Sequence, residues 1–90
     1  MRVALICNDK PGALQVRLDN RTAHLAYISD TGIVDLAGPF LNEDGAMTGS
    51  MIVLNVDTMQ QARDWAAHDP YALAGLFASV TLTEWKRAVG

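Results

Sequence analysis

The order in which strand-like and helix-like segments alternate predicts an α+β domain built as β-α-β-β-α-β. Three observations carry that prediction. A nearly continuous apolar run, Val3-Ala4-Leu5-Ile6-Cys7, opens the chain as a central strand would. Two segments with helical spacing follow strand-like ones, and each is closed by glycine or proline signals. Between these two segments lie two strand-like runs with no helix to separate them, the pattern of a hairpin.

Met1 to Asn8 is read as the first strand, with Arg2 to Cys7 as its body, and Asp9-Lys10-Pro11-Gly12 breaks it. From Ala13 to about Asp30 the chain is expected to be helical. Leu14, Leu18, Leu25 and Ile28 are spaced by 4, 7 and 3 residues and share one stripe, expected to face the core. Thr31-Gly32 ends this helix, with Gly32 taking the left-handed position. Ile33 to Pro39 reads as the second strand, and Pro39 is expected to end it for want of an N–H. Residues 40 to 47 form a loop rich in Asn, Glu, Asp and Gly. Thr48 to Val56 is the third strand, with Met51-Ile52-Val53-Leu54 as its body. Asp57 or Thr58 caps the second helix, with Gln60 or Gln61 three residues on. That helix runs to about His68 and turns Ala62, Trp65 and Ala66 inward. Asp69-Pro70 interrupts it, a helical turn from Tyr71 to Gly75 follows, and Phe77 to Trp85 is the fourth strand. Lys86 to Gly90 is a tail. This order is the ferredoxin-like arrangement, an antiparallel sheet with both helices on one face.

The 90 residues fit one domain. So short a chain leaves much of its surface exposed, yet half of it is hydrophobic and only 19% is charged. A sheet with helices on one face leaves the other bare, and a homodimer is the expected cover, with further assembly of dimers left open. The net charge is −3 and the pI about 5.0. The seven Lys and Arg form no dense run, which argues against nucleic acid and against a membrane surface as partners. Cys7 is the only cysteine, so no internal disulfide is expected, and it reads as a small buried hydrophobe. The opening apolar run is too short for a signal-peptide core, and no stretch approaches the roughly 20 residues that span a bilayer. The expected setting is the cytoplasm.

Chemistry-bearing residues gather in two places. Arg17, Arg21 and His24 are spaced by 4 and 3 residues and lie along one flank of the first helix. Two guanidinium groups and an imidazole suit an acidic or phenolate ligand, although such a flank is also what a solvated basic helix face looks like. Asp69 has two readings. It can accept a hydrogen bond from one nitrogen of His24 and so make the other nitrogen a better base, or it can cap the turn that Pro70 opens. A carboxylate has two oxygens, so both roles can coexist. Tyr71 either lines the same cleft or is a core aromatic with its tip in water. His68 falls in the last turn of the second helix, where a cation is favoured. His24, His68 and Asp69 have no recognised metal-ligand spacing. Ser50 is not set in a nucleophile-elbow pattern, and Gly49 before it reads as a site of close backbone approach. Trp65 and Trp85 are expected in the core or at a dimer contact.

Several pieces then coincide in order: Arg17-Leu18, Arg21 and His24-Leu25; Ala37-Gly38-Pro39; Thr48-Gly49-Ser50; Trp65-Ala66-Ala67-His68-Asp69-Pro70-Tyr71; and Glu84-Trp85-Lys86. Together they resemble the YciI-like (YCII-related) family over nearly the whole chain, least so in the loop from 40 to 47. The resemblance implies a ferredoxin-like fold assembled as a dimeric α+β barrel. It implies a His–Asp pair in a cleft, which maps onto His24 and Asp69. It also implies kinship with a dehydrochlorinase of chlorinated hydroxyhydroquinones and, more widely, with lactone isomerases, haem-handling enzymes and monooxygenases. The resulting expectation is a small cofactor-independent enzyme that binds no metal. His24 and Asp69 would move a proton in an elimination or isomerisation of a small anionic or phenolic substrate, held by Arg17, Arg21, Ser50 and Tyr71. The alternative is a non-catalytic module that binds a small ligand or assists another enzyme.

Overall fold

The computed structural model describes all 90 residues. Strand β1 (Arg2–Asp9) leads to helix α1 (Leu14–Thr31), then to the hairpin β2 (Val34–Leu41) and β3 (Met47–Asn55). Helix α2 (Met59–His68), a single turn α3 (Pro70–Leu73) and strand β4 (Phe77–Trp85) complete the chain. The sheet has the order β2-β3-β1-β4 and every adjacent pair is antiparallel. This is the ferredoxin-like fold that the order of segments predicts.

Alternation along β1 assigns the two faces. Val3, Leu5 and Cys7 are buried and lie opposite Leu54, Ile52 and Ser50 of β3. They form the core with Val56, Ala62 and Trp65, so α2 covers this face. The opposite face carries Ala4 and Ile6 of β1, Met51 and Val53 of β3, Leu36 and Phe40 of β2, and Trp85 of β4. No helix covers it. Leu36, Phe40, Met51 and Trp85 are each about two-fifths exposed there.

Two glycines fix local geometry. A Cβ on Gly49 would lie 2.3 Å from the carbonyl oxygen of Cys7, so only glycine fits between β3 and β1. Gly32 ends α1 with φ 67°, and its N–H donates to the Ile28 carbonyl.

Two expectations are corrected. Strand β2 does not end at Pro39 but runs on to Leu41, with Pro39 opposite Ser50. β2 is an edge strand, so a residue without an N–H can face away from the ladder there. The connection therefore shrinks to a tight turn, in which Asn42 Oδ1 accepts from the N–H groups of Asp44 and Ala46. The second correction concerns α1. Leu14, Leu18 and Leu25 are more than two-fifths exposed, and the buried residues of this helix are Arg17 and His24. Only Ile28 of the leucine-isoleucine stripe packs against the core, with Tyr27. The helix is turned by roughly a quarter of a revolution from its apolar stripe. The rest of the fold offers Arg17 and His24 buried carboxylate partners, and these hold the polar flank inward.

The clamp that fixes α1 against α2 lies at its C-terminal end. Tyr27 and Trp65 rings are 4.8 Å apart. The Tyr27 hydroxyl donates to the Trp65 carbonyl at 2.8 Å, and the Trp65 indole N–H donates to Thr31 Oγ1 at 2.8 Å. Thr58, rather than Asp57, caps α2: its Oγ1 accepts from the Gln61 N–H, while Gln61 Oε1 accepts from the Asp57 N–H.

Candidate active site

Where α2 gives way to α3, the chain needs an extended residue before Pro70. Asp69 supplies it with φ −56° and ψ 127°. Its Oδ1 accepts from the Tyr71 N–H at 3.0 Å, the capping bond expected of an Asp-Pro opening. The same oxygen lies 2.7 Å from His24 Nδ1, across 45 positions of sequence. Asp69 is 1% exposed and His24 6%. Capping and pairing thus coexist, on one oxygen rather than two. Asp69 Oδ2 is sealed from solvent and is the one buried side-chain polar atom without a partner. A carboxylate so placed has little but the imidazole beside it to offset its charge.

Tyr71 completes this corner. Its ring stacks on His24 with centroids 3.9 Å apart and planes 15° from parallel. Phe77 meets the Tyr71 ring edge-on at 6.1 Å. On the other side, the Arg17 guanidinium carbon lies 4.7 Å from the Tyr71 centroid. Arg17 is nearly sealed and makes a two-pronged pair with Asp9, Nε to Oδ2 and Nη2 to Oδ1, both at 2.8 Å. Nη2 also donates to Ser50 Oγ at 3.0 Å. Burial works against the charge on Arg17, but the hydrogen bond and charge of Asp9 outweigh it and hold the group above its ordinary range. Burial pushes the Tyr71 phenol up, against the pull of Arg17 and Arg21.

These groups line one cavity of about 170 Å³. Arg17, Arg21, His24, Ser50 and Tyr71 all border it, with apolar walls from Ile28, Pro39 and Ile52 among others. The volume admits one small ring compound. Arg21 stands exposed at the rim. His24 Nδ1 faces Asp69, whereas Nε2 has no protein partner and is not sealed, so Nε2 is the nitrogen open to the cavity.

The residues singled out in the sequence are therefore brought together, with one exception and one addition. His68 stands apart: its Nδ1 lies 2.7 Å from the Asp64 carbonyl one turn back in α2. Asp9 is the addition. It is the last residue of β1 and opens the sequence Asp9-Lys10-Pro11-Gly12, where a turn reading explains Asp well enough to hide it. Its spacing of eight residues from Arg17 crosses a strand end and a helix start, so no periodicity could have paired them. Cys7 is buried beneath the site, and burial, with a smaller push from Asp69, raises its thiol from 9.0 to about 12. It is a packed hydrophobe, not a nucleophile.

A buried His–Asp pair beside a cavity of about 170 Å³ thus stands on a ferredoxin-like α+β domain. The chain belongs to the YCII-related domain family, whose model matches residues 1–86. It is 33% identical to the protein YciI of Escherichia coli O6:H1, over 97% of this chain and 98% of that one. Among solved structures it is similar to 5-chloro-2-hydroxyhydroquinone dehydrochlorinase (TftG) from Burkholderia phenoliruptrix, determined in complex with 2,5-dihydroxybenzoquinone. That match has a TM-score of 0.89 and 34% identity, and it covers 98% of this chain and 96% of that one. An antibiotic biosynthesis monooxygenase shares the fold at a TM-score of 0.56 and 10% identity, over 96% of this chain and 98% of that one. No helix is long and apolar enough to cross a membrane.

Proposed function

We propose that this protein is a cofactor-independent enzyme that moves a proton on a small anionic or phenolic ring, in an elimination of the dehydrochlorinase kind. The observation that carries the reading is the 2.7 Å contact between His24 Nδ1 and Asp69 Oδ1, with Nε2 left open to the cavity. Asp69 fixes the tautomer in which Nδ1 carries the proton and Nε2 is the base. It also stabilises the imidazolium that forms when Nε2 takes a proton, because its buried charge gains a counter-charge.

The chemistry balances without an external oxidant. Nε2 takes a ring-hydroxyl proton and returns it to the ring carbon that bears the halogen. Loss of a second hydroxyl proton then makes a carbonyl, and the electron pair travels through the ring to expel halide. Net HCl leaves and a hydroquinone becomes a quinone. Arg21 at the rim and Arg17 in the wall favour the anionic oxygens of such a ring, and Tyr71 and Ser50 border its place. The kinship with the dehydrochlorinase and its bound quinone supports this substrate class.

The same proposal includes a homodimer. The uncovered sheet face carries Leu36, Phe40, Met51 and Trp85, each about two-fifths exposed, on a domain too small to leave such a face bare without consequence.

The test is release of chloride from 5-chloro-2-hydroxyhydroquinone. The wild type is expected to turn it over. His24→Ala should lower kcat by about 10²- to 10⁴-fold, the range of general acid–base catalysis. Asp69→Asn should lower kcat with the fold intact, since Asn caps about as well as Asp. Saturable binding of 2,5-dihydroxybenzoquinone that survives His24→Gln, with no turnover of halogenated hydroquinones by the wild type, would replace the enzyme with a binding module.

A further inference from the structure

The buried cation that lines the cavity is not a free one. Asp9 grips Arg17 by Nε and Nη2, and Ser50 takes a second bond from Nη2. Nη1 bonds neither Asp9 nor Ser50, and it belongs to a side chain that lines the cavity. The two bonds from Asp9 fix the guanidinium plane as one bond could not. That plane lies against Tyr71, with 4.7 Å from its central carbon to the ring centroid, and Tyr71 lies on His24 at 3.9 Å. Arg17 and His24 are seven residues apart on α1, about 10 Å along the axis. The Tyr71 ring fills that gap between them.

We propose that Asp9 is a positioning residue of this site. It sets Arg17 so that Nη1 meets the oxygens of an anionic ring in the cavity, and so that the guanidinium presses Tyr71 onto His24. It also cancels the charge of Arg17 and leaves Arg21 as the unpaired cation of the cavity, which tunes the site to singly charged ligands. The ligand half of this assignment rests on the function proposed above; the grip on Tyr71 does not.

Asp9→Asn is the first variant, read two ways. The His24 ring protons of the wild type should be shifted upfield by the Tyr71 ring current, and in Asp9→Asn they should move back towards solvent-like values. The Kd for 2,5-dihydroxybenzoquinone should rise about tenfold or more, as expected when a charge-assisted bond to the ligand is misaligned. Ser50→Ala should change both readouts less. If Asp9→Asn does not fold, the double variant Asp9→Val with Arg17→Met replaces the buried pair by apolar side chains, which such pairs tolerate. It should fold and lose the quinone affinity. The proposal is overturned if a folded Asp9→Asn keeps both the His24 ring shifts and the Kd of the wild type, or if the double variant keeps that Kd. A wild type that neither binds nor turns over quinones sinks the proposed function instead, and the ring shifts still decide whether Asp9 holds Tyr71.

Discussion

Tyr71 lies flat on His24, 3.9 Å away, and its own main-chain N–H donates to the carboxylate that faces that imidazole. One residue thus touches both members of the pair, by its ring and by its backbone. The backbone bond comes from Asp69 capping α3, so a local helix-opening motif sets the distance between groups 45 positions apart. The imidazole is held on its edge by Asp69 and on its face by Tyr71, which leaves Nε2 as its unpartnered nitrogen.

Removing the stack while keeping bulk should separate these effects. Tyr71→Phe keeps the ring and should stay within about 1 kcal/mol of wild-type stability, because aromatic stacking of about 0.5–1.5 kcal/mol is retained. Tyr71→Leu loses the stack and the cover for Arg17 and should cost about 1–3 kcal/mol, read from urea midpoints at constant slope. It should also lower kcat more than it raises KM, since a tilting imidazole harms proton transfer before it harms binding.

Gly49 should tolerate no side chain. A Cβ there would lie 2.3 Å from a backbone oxygen, and backbone cannot swing aside as a side chain can. Gly49→Ala should therefore destabilise by about 3 kcal/mol or more, at or beyond the upper range for overpacking. Gly38 is the control, because a Cβ there would meet nothing within 4 Å. Gly38→Ala on the edge strand should cost clearly less than Gly49→Ala, about 1 kcal/mol or under. Equal urea midpoints for the two variants would contradict the close approach of β3 to β1.

The topology was legible because its signals are local. Apolar runs, the Thr58 cap, Gly32 and the Asp-Pro pair each specify a boundary by short-range sterics or hydrogen bonding. The orientation of α1 was not legible. Leu14, Leu18 and Leu25 make the more hydrophobic stripe, and periodicity assigns that stripe to the core. The stripe that is buried instead holds Arg17 and His24, whose burial depends on Asp9 and Asp69, and those partners come from a strand end and an inter-helix junction. A rule that reads one helix cannot weigh charges supplied by other elements. Pro39 misled for a related reason: whether a proline ends a strand depends on whether that strand is at an edge, which is a property of the sheet. The residues of the cavity were found through the His24 flank and the family resemblance, and Asp9 escaped because its Lys-Pro-Gly neighbours already explained it.

The uncovered sheet face makes a prediction about assembly. Met51 lies near its centre, opposite Ile6 of β1 and Gly38 of β2. Met51→Arg places a charge where a second copy would pack, without touching the helix-covered core. Sedimentation should show a dimer for the wild type and a monomer for Met51→Arg at micromolar concentration. Thermal stability of the wild type should also rise with concentration, as mass action requires of a dimer. A wild type that sediments as a monomer removes the sheet-to-sheet assembly.

Alkaline pH should weaken the fold through Cys7. Its thiol is raised from 9.0 to about 12, first by burial and then by the charge of Asp69. The group binds its proton more tightly when folded, so between these values the unfolded chain has lost a proton that the native one keeps. Stability is then fully present below pH 9 and falls by about 1.4 kcal/mol per pH unit as pH rises towards 12. Tyr71 and Tyr27, both pushed up by burial, act in the same direction at higher pH. Cys7→Ala removes the thiol and should flatten the early part of this decline, whatever its own offset from losing a buried sulfur. The measurement is the urea midpoint of both proteins at several pH values from neutral up to the onset of tyrosine ionisation. Parallel lines for the two would mean that the thiol ionises as readily in the folded chain as in the unfolded one, and that the core around Cys7 is wet rather than packed.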